Sequence, residues 1–238
     1  MNGSLVVPAY NEAGRIEDCV RTIAVWAATR PGGRGWEFIL VDDGSTDDTV
    51  ARAKRVAAEE KLDLRVIAYA PNRGKGAAIR EGVLASTGDP VLVSDADLST
   101  PLSEFAKLDE RLGSHPVVIG SRAIDEGLVR RRQPLHRVLL GKLGNGAIQL
   151  FAVPGIRDTQ CGFKLFRRDA ARALFSDARI DRFAWDVEIL YLARRRGFAI
   201  AEVPVLWFNS PESKVRVVRD AVQTLFDVLR IRWIHRSG

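Results

Sequence analysis

A chain of 238 residues, 46% hydrophobic and 28% charged, can build one sizeable core and is too apolar for wholesale disorder. Its formal charge of +6 admits polyanions, phosphorylated ligands and anionic membrane surfaces as partners without choosing among them. Two distant cysteines, Cys19 and Cys161, and three scattered histidines argue against a disulfide framework and a structural zinc site, and favour a reducing compartment.

The opening MNGSLVVPAYNE lacks the charged start and long apolar run of a secretory signal. No apolar stretch approaches the roughly 20 residues of a membrane span. Short β-rich runs then alternate with helical patterns. A strand in SLVVP precedes a helix from Glu12 to Ala28, WEFILVD precedes a helix from Thr46 to Glu60, and LDLRVIAYA precedes a helix starting near Gly74. PVLVSD, a short helix from Leu102 to Leu112 and PVVIGS continue the series. Such alternation predicts βαβ units, hence an α/β fold with a mostly parallel, Rossmann-like sheet flanked by helices. From Gly127 to Phe151 the text turns basic and then amphipathic. DTQCGFKLF reads as strand or turn, RDAARALF and WDVEILYLARRRG as helices, and FAIAEVPVLW as a strand. After Pro211 comes a last helix, with Val222, Leu225, Phe226, Leu229 and Trp233 at helical spacing. No linker or repeat divides residues 1–238, which predicts a single domain.

In an open parallel sheet, ligands settle outside the carboxyl ends of the strands. The polar motifs fall there: Pro8 to Glu12, Asp42 and Asp43, Asn72 to Gly76, Asp95 and Asp97, and Gly120 to Arg122 follow the first five strands in turn. Five neighbouring strand ends are thus expected to share one crevice. Paired carboxylates at a wet strand end repel unless a cation or hydrogen-bond donors offset them, and such oxygen ligands suit Mg²⁺ or Mn²⁺ carrying a diphosphate. Alternatively, VSDADLSTP is a helix start, with Asp97 or Ser99 as N-cap before Thr100-Pro101. In DDGSTDDT, Ser45 or Thr46 is expected to cap the next helix while Asp43 faces the crevice. NRGKGAAIREG places Lys75 and free amides at a helix N-terminus, which favours anions, although the spacing is not that of a P-loop. A glycine-rich turn with a solvated lysine is the other reading.

In order and together, VVPAYNE, ILVDDGSTDDT, NRGKGAAIREG, DADLSTP and IGSR resemble the inverting glycosyltransferases of family 2, whose nucleotide-sugar fold is called GT-A. GIRDTQCGFKLF, FAWDVEILYLA and EVPVLWFNSPESKV are similar to the dolichyl-phosphate β-glucosyltransferase branch, kin of the dolichyl-phosphate mannose synthases. The resemblance covers nearly the whole chain. It implies a GT-A domain with a nucleotide-sugar half over 1–122 and an acceptor half over 123–238 ending in an amphipathic helix. The implied reaction is metal-dependent inverting transfer of glucose from UDP-glucose to a dolichyl or polyprenyl phosphate. The implied location is cytoplasmic, in peripheral contact with the cytosolic membrane face. Eukaryotic members of the branch carry an N-terminal membrane segment that these residues do not show, and the wording of DADLSTP differs slightly from theirs.

Carried over by position, the resemblance implies that Pro8, Tyr10, Glu12, Lys75 and Ala96 line the nucleotide-sugar pocket and that Asp43 holds the base. Asp95 and Asp97 form the metal–diphosphate motif, with Asp97 ahead of Asp95 as direct ligand, and Arg122 approaches the phosphates. Asp158, Gln160, Lys164, Asp186 and Glu188 match motifs around sugar and acceptor, and Lys214 matches a basic position beside the reacting phosphates. The implied catalytic set is Asp95, Asp97, Arg122, Asp186 and Lys214. A charged surface helix start is the plainer reading of Asp186 and Glu188.

For the lipid acceptor, Arg130, Arg131, Arg132, Arg137, Lys142, Lys214 and Arg216 offer cations, while Leu139, Leu140, Leu143, Ile148, Leu150 and Phe151 offer an apolar groove. Arg230, Arg232 and Arg236 around Trp233 and Ile234 invite a membrane-surface reading of the last helix. Solvated charge beside core residues is the plainer account of both segments. A sugar-1-phosphate nucleotidyltransferase should show a glycine-rich loop after strand one, where this chain has VPAYNEAGR. A nucleic-acid module should show a helix-turn-helix, zinc-finger or RNP-like signature, and none is present. A GDP-mannose-dependent mannosyltransferase and an inactive nucleotide-sugar binder stay open as alternatives.

Overall fold

The computed structural model describes residues 3–30, 35–130, 146, 149, 152–208 and 217–236, with backbone alone for Glu126 and for 217–225. Strands β1 (Ser4–Ala9), β2 (Glu37–Asp42), β3 (Leu64–Ala68), β4 (Val91–Val93), β5 (Val117–Ser121), β6 (Lys164–Phe166) and β7 (Ile200–Pro204) form one sheet. Its order is β3-β2-β1-β4-β6-β5-β7. All pairings are parallel except those of β6, which runs antiparallel to both β4 and β5.

Helices cover both faces. On one, α1 (Ile16–Thr29), α2 (Thr49–Glu59) and α4 (Phe105–Leu112) pack on Leu5, Val7, Phe38, Leu40, Leu92 and Leu165. On the other, α3 (Lys75–Ala85), α5 (Arg168–Asp177), α6 (Trp185–Arg195) and α7 (Val217–Ile234) pack on Val6, Ile39, Val41, Val93, Ile119 and Phe166. Successive residues of one strand serve opposite cores, which is why these strands read as unbroken apolar runs.

Two expectations change. The five strand ends are not contiguous, because β6 lies between β4 and β5. Its reversed direction brings its first residue, Lys164, level with Val93, the last residue of β4, and with Ile119, the third of the five residues of β5. Helices α1 and α2 also start three or four residues later than the apolar spacing suggests. The preceding residues instead tie the two loops together: the Asn11 amide donates to Ser45 Oγ at 2.8 Å, the Thr46 amide to Asn11 Oδ1 at 2.7 Å, and the Glu12 amide to Thr49 Oγ1 at 2.7 Å. Asn11 adopts a left-handed φ of 54° to make this turn.

Candidate active site

The loop after β1 presents Tyr10, an exposed aromatic ring, beside Glu12, whose carboxylate pairs with Arg15. Pro8 is buried within β1, beyond the point where pairing with β4 ends at Val6, so its missing N–H breaks no bond on that side. Ser45 donates its hydroxyl to Asp42 and Thr46 bonds Asn11, so neither caps α2. The Thr49 amide is taken by Asp47 Oδ1 at 3.0 Å.

The turn after β3 already holds an anion, and it belongs to the protein. The buried Asp43 carboxylate accepts from the Arg73 and Gly74 amides, each at 2.8 Å, and from Asn72 Nδ2 at 2.7 Å. As placed, Asp43 is committed to fixing this loop. The first turn of α3 is likewise covered, because the Ala77 amide donates to the Asp181 carbonyl at 3.1 Å and a Cβ on Gly76 would collide with the 180–182 segment. Phosphate binding by bare amides at this helix start does not fit that geometry. What the turn delivers to the crevice is Lys75, whose Nζ lies 2.6 Å from Asp95 Oδ1.

Asp95 and Asp97 occupy different surroundings. Burial opposes ionisation of Asp95, but Lys75 at close range, with Lys164 and Arg122 beyond it, outweighs burial and holds the carboxyl below its ordinary range. Gly162 lies directly against this carboxylate, which a Cβ would displace. Asp97 accepts from the Ser99 amide at 2.9 Å through Oδ1, and its Oδ2 lies 4.0 Å from Arg15 Nη1. Neither Asp97 nor Ser99 caps a helix: the 3-10 turn Leu102–Glu104 follows Pro101 without a side-chain cap. Ala96, between the two acids, is buried, and Leu98 is left-handed at φ 46°. A bulky residue rarely tolerates that conformation, and it reverses the chain just past Asp97.

Lys164, at the reversed start of β6, is fully buried and its ammonium meets Asp186 Oδ1 at 2.5 Å, the Thr159 carbonyl at 3.2 Å and the Cys161 carbonyl. Asp186, in the first turn of α6, is pushed above the ordinary carboxyl range by burial, against the pull of Lys164 and Lys75. Lys75, Asp95, Lys164 and Asp186 thus form an alternating charge cluster under the crevice. Beside it, Arg122 grips Asp158 through Nε at 2.7 Å and Nη2 at 2.8 Å, and its guanidinium lies 5.4 Å from the Trp207 ring centroid. Asp158 is set in turn by Glu202, which accepts from its amide at 2.7 Å. Gln160 is exposed next to this pair.

Glu188 does not reach the cluster and is no surface charge. Fully buried, it accepts from the Arg179 and Ile180 amides, each at 2.9 Å, and lies 2.8 Å from His235 Nε2 near the end of α7. Arg130 is exposed, its amide bonded to the Trp207 carbonyl at 3.0 Å. Arg131, Arg132, Arg137, Lys142, Lys214 and Arg216, with the apolar Leu139, Leu140, Leu143, Ile148, Leu150 and Phe151, lie outside the described residues. Sequence reasoning missed Arg15, Gly162 and Trp207, since only the folded chain brings them to the two acids and to Arg122. It also missed the pairing of Lys75 with Asp95, which belong to separate motifs in the sequence.

Among the described residues no three carboxylate, histidine or cysteine side chains converge as a ready-made metal cage. The donors present still suit a hard cation held by one or two carboxylates, with water and a ligand diphosphate completing its shell. Of the two acids, Asp95 is engaged by Lys75, while Asp97 has Arg15 Nη1 at 4.0 Å.

Comparison with known proteins gives a consistent picture. The model of the glycosyl transferase family 2 matches residues 4–175. A dolichyl-phosphate beta-glucosyltransferase of Trichomonas vaginalis is 36% identical over 244 residues, covering 99% of this chain and 72% of the relative. One of Homo sapiens is 37% identical over 246 residues, covering 99% and 76%. In fold, the chain is similar to glucosyl-3-phosphoglycerate synthase from Mycobacterium tuberculosis, solved with Mn²⁺, uridine diphosphate and phosphoglyceric acid. The TM-score is 0.68 at 22% identity, over 96% of this chain and 78% of that one.

Proposed function

The chain belongs to glycosyl transferase family 2, is a glycosyltransferase of the GT-A fold, and on that premise we propose that it transfers glucose from UDP-glucose to a dolichyl or polyprenyl phosphate. The site works at the cytosolic membrane face and forms a β-linked product from an α-linked donor. The observation that carries this reading is the charge arrangement at the strand ends, where two partly exposed carboxylates, Asp95 and Asp97, lie beside three cations that are each held by an acid, Lys75 by Asp95, Lys164 by Asp186 and Arg122 by Asp158. A site that brings one phosphate beside another needs cations held in place and carboxylates that do not meet those phosphates unscreened.

The roles follow from the geometry. Tyr10, exposed after β1, offers a face for the base, while Asp43 fixes the neighbouring loop rather than spending its oxygens on the ligand. Asp97, supported by Asp95, would hold Mg²⁺ or Mn²⁺. Bound there, the cation supplies Lewis-acid stabilisation of the leaving diphosphate. Lys75 screens Asp95, Asp158 orients Arg122 toward the crevice, and Asp186 holds the Lys164 ammonium beneath it. An acceptor phosphate monoester, with a second pKa of about 6, is largely a dianion at neutral pH. It attacks without a protein base, which agrees with an Asp186 engaged by Lys164 instead of standing open to solvent.

The test is incubation with Mg²⁺ or Mn²⁺, labelled UDP-glucose, GDP-mannose and other nucleotide sugars, and short polyprenyl phosphates. Glucose should appear in the lipid fraction only with UDP-glucose and metal. Transfer from GDP-mannose, or sugar release without lipid product, would refute the donor or the acceptor respectively.

A further inference from the structure

The described part of α7 has two unlike sides. Val228 and Ile231 enter the core, Asp227 is buried, and His235 is pinned to Glu188 at 2.8 Å. By the helical period, Phe226, Leu229 and Trp233 fall on the opposite side. They are 66%, 50% and 67% exposed, the most exposed large hydrophobic residues of the described chain apart from Val25. Arg230 flanks this apolar strip on one edge and Arg232 and Arg236 on the other, all exposed, and no acidic residue interrupts the exposed face from Phe226 to Arg236. Three large apolar groups left in water along one line mark an interaction surface.

The charges decide what covers it. Two copies meeting face to face would bring arginines against arginines, which costs energy unless counter-charges intervene. A bilayer with anionic headgroups meets every feature at once. Aromatic and leucine side chains enter the headgroup–acyl boundary, while arginines on both edges reach phosphates. The buried side, held by Glu188 and the core, keeps the helix lying flat rather than inserting, and no described helix is long and apolar enough to cross a membrane.

We propose that the outer face of α7, built on Phe226, Leu229 and Trp233 between Arg230 and Arg236, docks the protein on anionic lipid bilayers. The inference requires neither donor nor acceptor, so it can fail or hold independently of the proposed transfer reaction. Because Glu188 lies two residues beyond Asp186 on α6, docking through α7 would set the height of the active site above the lipid surface.

The experiment is co-sedimentation of the full chain with vesicles of phosphatidylcholine, with and without phosphatidylglycerol, across a salt series. Wild type should favour the anionic vesicles by at least about tenfold at low salt, and the preference should shrink as salt rises. A Phe226→Ser/Leu229→Ser/Trp233→Ser variant should lose about tenfold or more at every salt concentration. An Arg230→Gln/Arg236→Gln variant should lose chiefly the anionic preference and its salt dependence. All these side chains are exposed, so thermal melting of both variants should match wild type. Transfer to a short, water-soluble polyprenyl phosphate should be unchanged as well; absence of transfer from every form would tell against the proposed reaction and leave the docking result standing. Docking through α7 is overturned if wild type ignores anionic vesicles or if both variants bind as wild type does. It is also overturned if the apolar substitutions abolish a concentration-dependent dimer instead of vesicle binding.

Discussion

Asp95 ion-pairs with Lys75 and lies against Gly162, whereas among the described residues Asp97 accepts from the Ser99 amide, with Arg15 at the edge of contact. Removing each therefore tests something different. Asp97→Ala should reduce transfer by at least about a hundredfold with little change in urea stability, because few contacts depend on it. Asp95→Ala should lower both activity and stability, since it leaves Lys75 without its counter-charge. Loss of stability without loss of transfer in Asp95→Ala would show that the pair is purely structural. The Lys164–Asp186 pair is more deeply enclosed, and Asp186→Ala should cost about 3–5 kcal/mol in urea unfolding because it strands a buried ammonium. Asp158 gives a pH signature. Burial alone would raise its pKa, but Arg122 outweighs burial and holds it below the ordinary range. The pair's stabilisation is therefore complete above the unfolded value of about 3.9 and is lost as pH falls through the lower folded value. The stability gap between wild type and Asp158→Asn should be constant near neutrality and close on acidification; a gap independent of pH would contradict this assignment.

Loops, more than helices or strands, carry the site, and two elements show how tightly they are set. The antiparallel β6 inserts the 159–163 segment beneath the acidic loop, and a Cβ at position 162 would force the Asp95 carboxylate to shift. Gly162→Ala should leave the melting transition cooperative while depressing transfer about tenfold or more, as a displacement near 1 Å can cost even more than that. Helix α1 is anchored at its far end by an aromatic box. The Arg30 guanidinium lies 4.5, 4.4 and 4.2 Å from the ring centroids of Trp26, Trp36 and Phe105, joining α1 to β2 and α4. Arg30→Ala should destabilise by about 2 kcal/mol, in keeping with a desolvated cation–π contact, without altering transfer. A neutral result by thermal melting would mean that the stacking is incidental.

For the whole molecule, ligand linkage provides the check on the donor site. A ligand that binds the folded state at 100 times its dissociation constant adds about 2.7 kcal/mol, which for a chain of this size raises the melting temperature by roughly 5–10 °C. UDP with Mn²⁺ should produce such a shift, and excess chelator should remove most of it if the cation is needed to hold the diphosphate in the site. An equal shift with chelator present would place the nucleotide without the metal.

The α/β class, the parallel strand series and the position of the polar motifs at strand ends were all legible in the sequence. Apolar runs, periodicity and turn residues act over a few neighbours and report local structure directly. The tertiary structure decided the rest. Three residues of β6, reversed between β4 and β5, carry no local mark of their direction, yet they place Lys164 under the acids. Asp43 and Glu188 looked like ligand or surface charges, and the fold buries both and sets each against backbone amides from another segment. Asp97 and Asp95 read alike until Lys75 and Gly162, distant in sequence, arrived beside one of them. The sequence by itself determined which groups exist and which strand end each one follows. Only the fold decided which charges neutralise one another and which stay open to a ligand, because electrostatic pairing depends on distances that long-range packing alone creates.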